Sequence, residues 1–106
     1  MNFRLEHFLP LVNSVFIIHT QVGPLELTLF SAEELPRGQR PASLPTPLSL
    51  IFSSPANWQF KQDNFAFEHA TLGKQQHVWC MVPIIPPRAA KSSDDIARNY
   101  YQVMFN

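Results

Sequence analysis

Four histidines, His7, His19, His69 and His77, are the residues of this chain best suited to hold a metal or move a proton. A zinc or iron site needs three or four ligands that converge. The sequence holds no His-x-His pair and no Cys-x-x-Cys, so structural or surface histidines are the reading preferred, with no metal and no cofactor expected. His69 and His77 flank one candidate hairpin and could face each other across it. Glu68 and His69 form a candidate acid/base pair, but neighbours on a strand point to opposite faces. General acid/base work would also need a partner within hydrogen-bond reach. Cys80 with His77 or His69 suggests a nucleophile and its base. Positions 77 and 80 again face opposite ways on a strand, and no nucleophile-elbow sequence is present. Three scattered glycines do not make a phosphate loop. Asp94-Asp95 reads as a solvated turn or a helix cap.

The elements that must position these groups centre on residues 47–85. Leu48, Leu50 and Phe52 alternate with Ser49, Ile51 and Ser53, which predicts a half-buried strand between Pro47 and Pro55. Phe65–His69 is a second alternating run, followed by a turn at Leu72-Gly73-Lys74. His77–Val82, closed by Pro83, completes a hairpin with it. Cys80 lies mid-strand in an apolar run and reads as a buried thiol. Earlier in the chain, Phe8, Leu11 and Val12 have helical spacing, limited by Pro10. Val15–Thr20 reads as a strand covered on both faces. Leu25, Leu27 and Leu29 alternate with Glu26, Thr28 and Phe30 in a strand antiparallel to it. The segments 35–46, 53–64 and 86–95 read as loops, and Tyr101, Val103 and Phe105 share one face of a closing C-terminal strand. The expected architecture is mainly β: a small antiparallel sandwich or barrel of about six strands with a short N-terminal helix, one domain over residues 1–106.

Composition narrows the function classes. Hydrophobic residues make up 45% of the chain and charged residues 15%, with formal net charge +0. A surface that poor in charge favours association, and the lack of a basic excess argues against nucleic acid, so no nucleic-acid partner is expected. No apolar run reaches the roughly 20 residues of a membrane span. The opening residues lack the apolar stretch of a signal peptide. A cytoplasmic origin is therefore the default expectation, with incorporation into an extracellular or virion-like assembly as the other. Nine phenylalanines and ten prolines against three glycines suit short strands and ordered loops. Trp58, Phe60, Trp79, Tyr100 and Tyr101 exceed what a core of this size must hide, and aromatics are enriched at the centres of protein interfaces. Ordinary core filling accounts for them equally well. A free sheet edge at Leu25–Ala32 or at the terminal strand would accept a partner strand.

The stretches Pro47–Pro55, Phe65–Gly73, Val78–Ile84 and Tyr101–Asn106 give the chain a resemblance to a family of short bacterial proteins known only as a domain of unknown function. It departs from that pattern at two turns, Phe60–Phe65 and Asn13-Ser14, which bear on loop geometry. The family resemblance implies a β-rich fold and brings no established activity. Its association with phage-tail-collar-like and fibre genes implies an assembly role. The expectation is thus a non-enzymatic protein-binding domain, an accessory, adaptor or assembly subunit of a fibre or phage-tail-like structure. Trp58, Phe60 and Trp79 would be its partner-binding anchors. The alternatives are a small metal- or ligand-dependent enzyme using the hairpin histidines, and a homo-oligomeric structural subunit.

Overall fold

The computed structural model describes residues 3–36, 46–75 and 77–105. Most of the expected loop at 35–46 lies outside them. The chain opens with a single helical turn, α1 (Leu5–Phe8), continued by a 3₁₀ turn at Leu9–Leu11. His7 Nδ1 accepts the Arg4 amide at 3.0 Å, closing the start of α1. Pro10 sits in the first turn of the 3₁₀ segment, where a missing amide costs little. Asn13 then turns the chain with φ +72°, a conformation asparagine tolerates better than most residues.

Seven strands follow: β1 (Val15–Thr20), β2 (Gly23–Glu34), β3 (Leu48–Ser54), β4 (Asp63–His69), β5 (Gly73–Lys74), β6 (Trp79–Ile84) and β7 (Asn99–Phe105), with a helical turn α2 (Ser93–Ile96) before the last. The order β1-β2-β3-β7-β6-β4 closes on itself, because β4 also pairs with β1. Every pairing is antiparallel. The fold is mainly β: a closed six-strand antiparallel barrel with one extra strand, β5, and a short N-terminal helix. Closure gives both strands expected to have a free edge, Leu25–Ala32 and the C-terminal strand, a second neighbour, although β1 pairs with β2 only as far as Thr28 and β6 with β7 only as far as Gln102. β2 is flanked by β1 and β3, and β7 by β3 and β6.

Period-2 alternation fills the barrel. Phe16, Ile18, Leu27, Leu29, Leu50, Phe52, Phe67, Met81 and Val103 point inward and are buried. Burying one such side chain contributes roughly 1.5–3 kcal/mol. Phe67 stacks on Trp79 at 4.7 Å and meets Phe52 at 5.2 Å. Between Leu29 and Ser31 the β2–β3 register shifts by one residue. Phe30 is the extra residue of this bulge, and its ring lies against Tyr100 at 5.2 Å.

Three expectations change. β3 is buried on both faces rather than one. Its outward Ile51 lies in a second small cluster with Ala90 and Tyr100, while Ser49 and Ser53 accept hydrogen bonds from Gln102 and Arg98. β1 is fully covered on one face only: on the outer face Val15 is exposed, while Ile17 and His19 are half-buried. The third concerns Pro83, which lies inside β6, opposite Tyr101 of β7, rather than ending the strand. Proline offers no amide, and the β4–β6 ladder stops earlier, at Met81.

The two ends of the barrel differ. Phe8 and Leu11 are buried over one end, and Phe3 meets Trp79 at 5.7 Å and Phe105 at 5.3 Å there. The opposite end, where β3 finishes and β4 and β7 begin, carries the segment 55–62.

Candidate functional site

The segment 55–62 presents Trp58 and Phe60. Its backbone is held from three directions. Asn99 Nδ2, Ser54 Oγ and Tyr101 Oη lie 2.6, 3.0 and 3.2 Å from the Trp58 carbonyl oxygen. The Trp58 amide donates to the Pro55 carbonyl at 3.0 Å, which tightens the turn. The Phe60 amide donates to Tyr101 Oη at 3.1 Å. Asn99 Nδ2 also approaches the carbonyls of Ala56 and Pro55, at 3.2 and 3.3 Å. Strands β3 and β7 thus fix this loop through polar bonds to its main chain, leaving its side chains for other uses.

Those side chains divide. Phe60 packs on the barrel core, edge-on to Tyr101 at 5.6 Å and Phe65 at 5.9 Å. Trp58 is half-buried and belongs to neither apolar cluster. Among the described residues its ring has no aromatic neighbour and its Nε1 no hydrogen-bond partner. Beside the loop, where the β4–β6 ladder has stopped at Met81, a cleft of about 350 Å³ opens. Gln59, Phe60 and Lys61 form one wall, Pro83 and Ile84 the other, and Asn99, Tyr100 and Tyr101 complete the lining. Its size falls at the small end of ligand pockets, roughly 300–1,000 Å³.

Trp79, the third expected anchor, lies elsewhere. It is 6% exposed, stacked on Phe67 and surrounded by Phe3, Phe8 and Phe105. Its indole fills the core under the N-terminal helix, so an anchoring surface would consist of Trp58 and Phe60. Tyr100 and Tyr101, each 2% exposed, are also interior residues. Burial pushes the Tyr100 phenol up, Asp95 adds to the shift and Arg98 opposes it.

The histidines serve separate purposes. His7 caps α1. His19 Nε2 lies 2.9 Å from Glu68 Oε1, across the β1–β4 seam on the outer wall. His69, on the inner side, lies 2.8 Å from Ser14 Oγ through Nε2 and accepts the Thr71 amide at Nδ1. Burial lowers its pKa. His77 is exposed. Alternation therefore parts Glu68 from His69, as their adjacency requires. Among the described residues, no three His, Cys, Asp or Glu side chains could share a metal ion. Cys80, expected to be buried, is exposed. Trp79 and Met81 take the inward positions of β6, which turns the thiol outward.

The polar residues that hold the loop were not singled out in the sequence. Asn99 carries no reading there, and Tyr101 reads only as a surplus aromatic on the C-terminal strand. Their roles arise from contacts 41 positions away along the chain, which leave no local signal.

A family model described as Domain of unknown function (DUF6916) matches residues 3–105. The chain belongs to this family. The DUF6916 match takes in every described strand and both helical turns. No curated protein and no solved structure matches the chain. No helix among the described residues is long and apolar enough to cross a membrane.

Proposed function

We propose that this DUF6916 chain is a non-enzymatic protein-binding domain that engages its partner through the Trp58 loop. The observation that carries the reading is the way Trp58 is held. Its backbone carbonyl is fixed by Asn99, Ser54 and Tyr101, while its indole packs into neither apolar cluster. A large aromatic held in place without being consumed by the core loses little freedom on binding, which is what an interface anchor requires. Phe60 packs on the core and lines the adjoining cleft, which offers apolar surface beside the amide of Gln59 and the ammonium of Lys61. The sequence resemblance supplies the partner class to test first, a fibre or tail-like component. The enzymatic alternative, built on the hairpin histidines His69 and His77, draws less support, because both ring nitrogens of His69 are engaged, by Ser14 and the Thr71 amide.

The test compares wild type with Trp58→Ala by quantitative capture from native cells, with melting temperatures recorded for both. One stoichiometric fibre or tail-like protein retained by wild type is the expected result. The variant should bind it roughly thirtyfold more weakly, as truncation of a hot-spot tryptophan does, at an unchanged melting temperature. Equal recovery by both proteins, or no partner with wild type, overturns the proposal.

A further inference from the structure

The other end of the barrel contains a hydrogen-bonded chain that the Trp58 site does not use. The Thr71 amide donates to His69 Nδ1 at 2.9 Å. That bond places the ring hydrogen on Nε2, which donates to Ser14 Oγ at 2.8 Å. Ser14 Oγ in turn donates to the Leu11 carbonyl. The series runs from the β4–β5 turn, through a ring 7% exposed, into the segment that covers the barrel end. The same segment is tied to β2 by two main-chain bonds, Asn13 to Leu29 at 2.7 Å and Leu29 to Ser14 at 3.0 Å. The His69 ring lies 4.4 Å from that of Phe16.

This arrangement accommodates one protonation state. A second ring proton can go only to Nδ1, where it would meet the Thr71 N–H head-on. The imidazolium so formed would be buried with no carboxylate beside it among the described residues. The charged and titratable groups of the packed elements are engaged elsewhere or exposed. Glu68, next in β4, pairs with His19 of β1 on the outer wall. Arg4 and Glu6 form an exposed pair, and His7 caps α1. Lys74 lies across from Glu68 on β5 and is exposed. On β2, Glu26 lies opposite the outward Ile17 and is exposed, and Glu33 and Glu34 are exposed near the strand's end.

From this geometry we infer that His69 is an acid-sensitive latch, which holds residues 3–14 over the barrel end when neutral and releases them when protonated. Release would uncover the apolar surface formed by Trp79 and Phe105, on which Phe3 and Phe8 pack. The acid-opened state would therefore present a surface that the neutral state hides. Burial alone holds the His69 pKa below its ordinary 6.5, so one proton is taken up on opening. The opening equilibrium should rise by up to about tenfold per pH unit as pH falls from 6.5 toward the folded value, then level off.

Amide hydrogen exchange of the intact chain between pH 7.5 and 5, corrected for intrinsic rates, tests this. The Asn13, Leu29 and Thr71 amides should lose protection together as pH falls, with the midpoint at which the His69 ring titrates by NMR. The amides of Phe52 and Val103, in β3 and β7, should keep theirs. In His69→Gln the pH dependence should vanish. If that variant does not fold, agreement of the two midpoints in wild type decides the matter. Loss of protection at Thr71 alone, uniform loss across all strands, mismatched midpoints or an unchanged profile in His69→Gln would each overturn the latch.

Discussion

Replacing Tyr101 by Phe removes one oxygen and keeps the ring. That oxygen is the acceptor for the Phe60 amide at 3.1 Å and lies 3.2 Å from the Trp58 carbonyl. The carbonyl keeps Asn99 and Ser54 as donors, so its loss is small. The Phe60 amide keeps no partner. Orphaning a buried donor costs about 1–3 kcal/mol, and this one is only part-buried, which places the cost at about 1–2 kcal/mol. For a domain of this size the melting temperature should fall by roughly 5–12 °C. Urea denaturation measures the loss directly, and an unchanged slope would show that the denatured state is not altered. Exchange of the Phe60 amide should accelerate more than that of strand amides, because the loop loosens before the barrel does. A loss below about 0.3 kcal/mol with Phe60 still protected would refute the reasoning, since measured bonds of this kind contribute about 1 kcal/mol. The loop would then be held by packing rather than by Tyr101.

Three further outcomes follow from the same geometry. Phe67→Ala removes the ring stacked on Trp79 and touching Phe52, and should cost about 3–5 kcal/mol in denaturant unfolding. The exposed Cys80 should be modified completely by a thiol reagent in native buffer, while Cys80→Ser changes stability by less than about 0.5 kcal/mol. Because the folded pKa of His69 is depressed, the unfolded chain binds the extra proton. The contribution of His69 to stability is present above pH 6.5 and is lost as pH falls through the folded value. Urea midpoints at pH 7.5, 6.5 and 5.5 should decline in that order, and less in His69→Gln.

Local pattern carried most of the fold. Leu48, Leu50 and Phe52 alternate as inward residues should, and Gly73 takes φ +74° at the expected turn. What the sequence could not supply was what lies outside the barrel wall. Ile51 reads as half-exposed until Tyr100 and Ala90, some forty or more positions later, cover it. Sandwich and barrel share the same strand list. They differ through the β1–β4 pairing, which involves three residue pairs and no local motif. Cys80 was obscured by its setting: His77–Val82 reads as a continuous apolar run, yet Trp79 and Met81 alone decide which way it faces. At the candidate site, Trp58 and Phe60 stood out because aromatics in a loop are conspicuous. Ser54 and Asn99 did not, because strand-end polar residues are ordinary until their partner is known, and Tyr101 stood out only as an aromatic, not for its hydroxyl.

The β1–β4 seam also bears on how the chain reaches its folded state. His19 and Glu68, which meet there, are 49 positions apart, with β2 and β3 between them and β5, β6 and β7 following. Contacts that close so long a loop give up chain entropy before they gain interaction energy. The β1–β2 hairpin, joined through Gly23, needs no such closure. The β3–β7 pairing joins residues as far apart, Ser54 with Asn99 and Leu48 with Phe105, so the hairpins are expected to form ahead of both pairings, and until the seam closes the facing edges of β1 and β4 are unpaired. In that interval those strands are templates for another copy of the chain. The outward His19 and Glu68, both on edge strands of the open form, place a polar pair where unwanted strand pairing would begin.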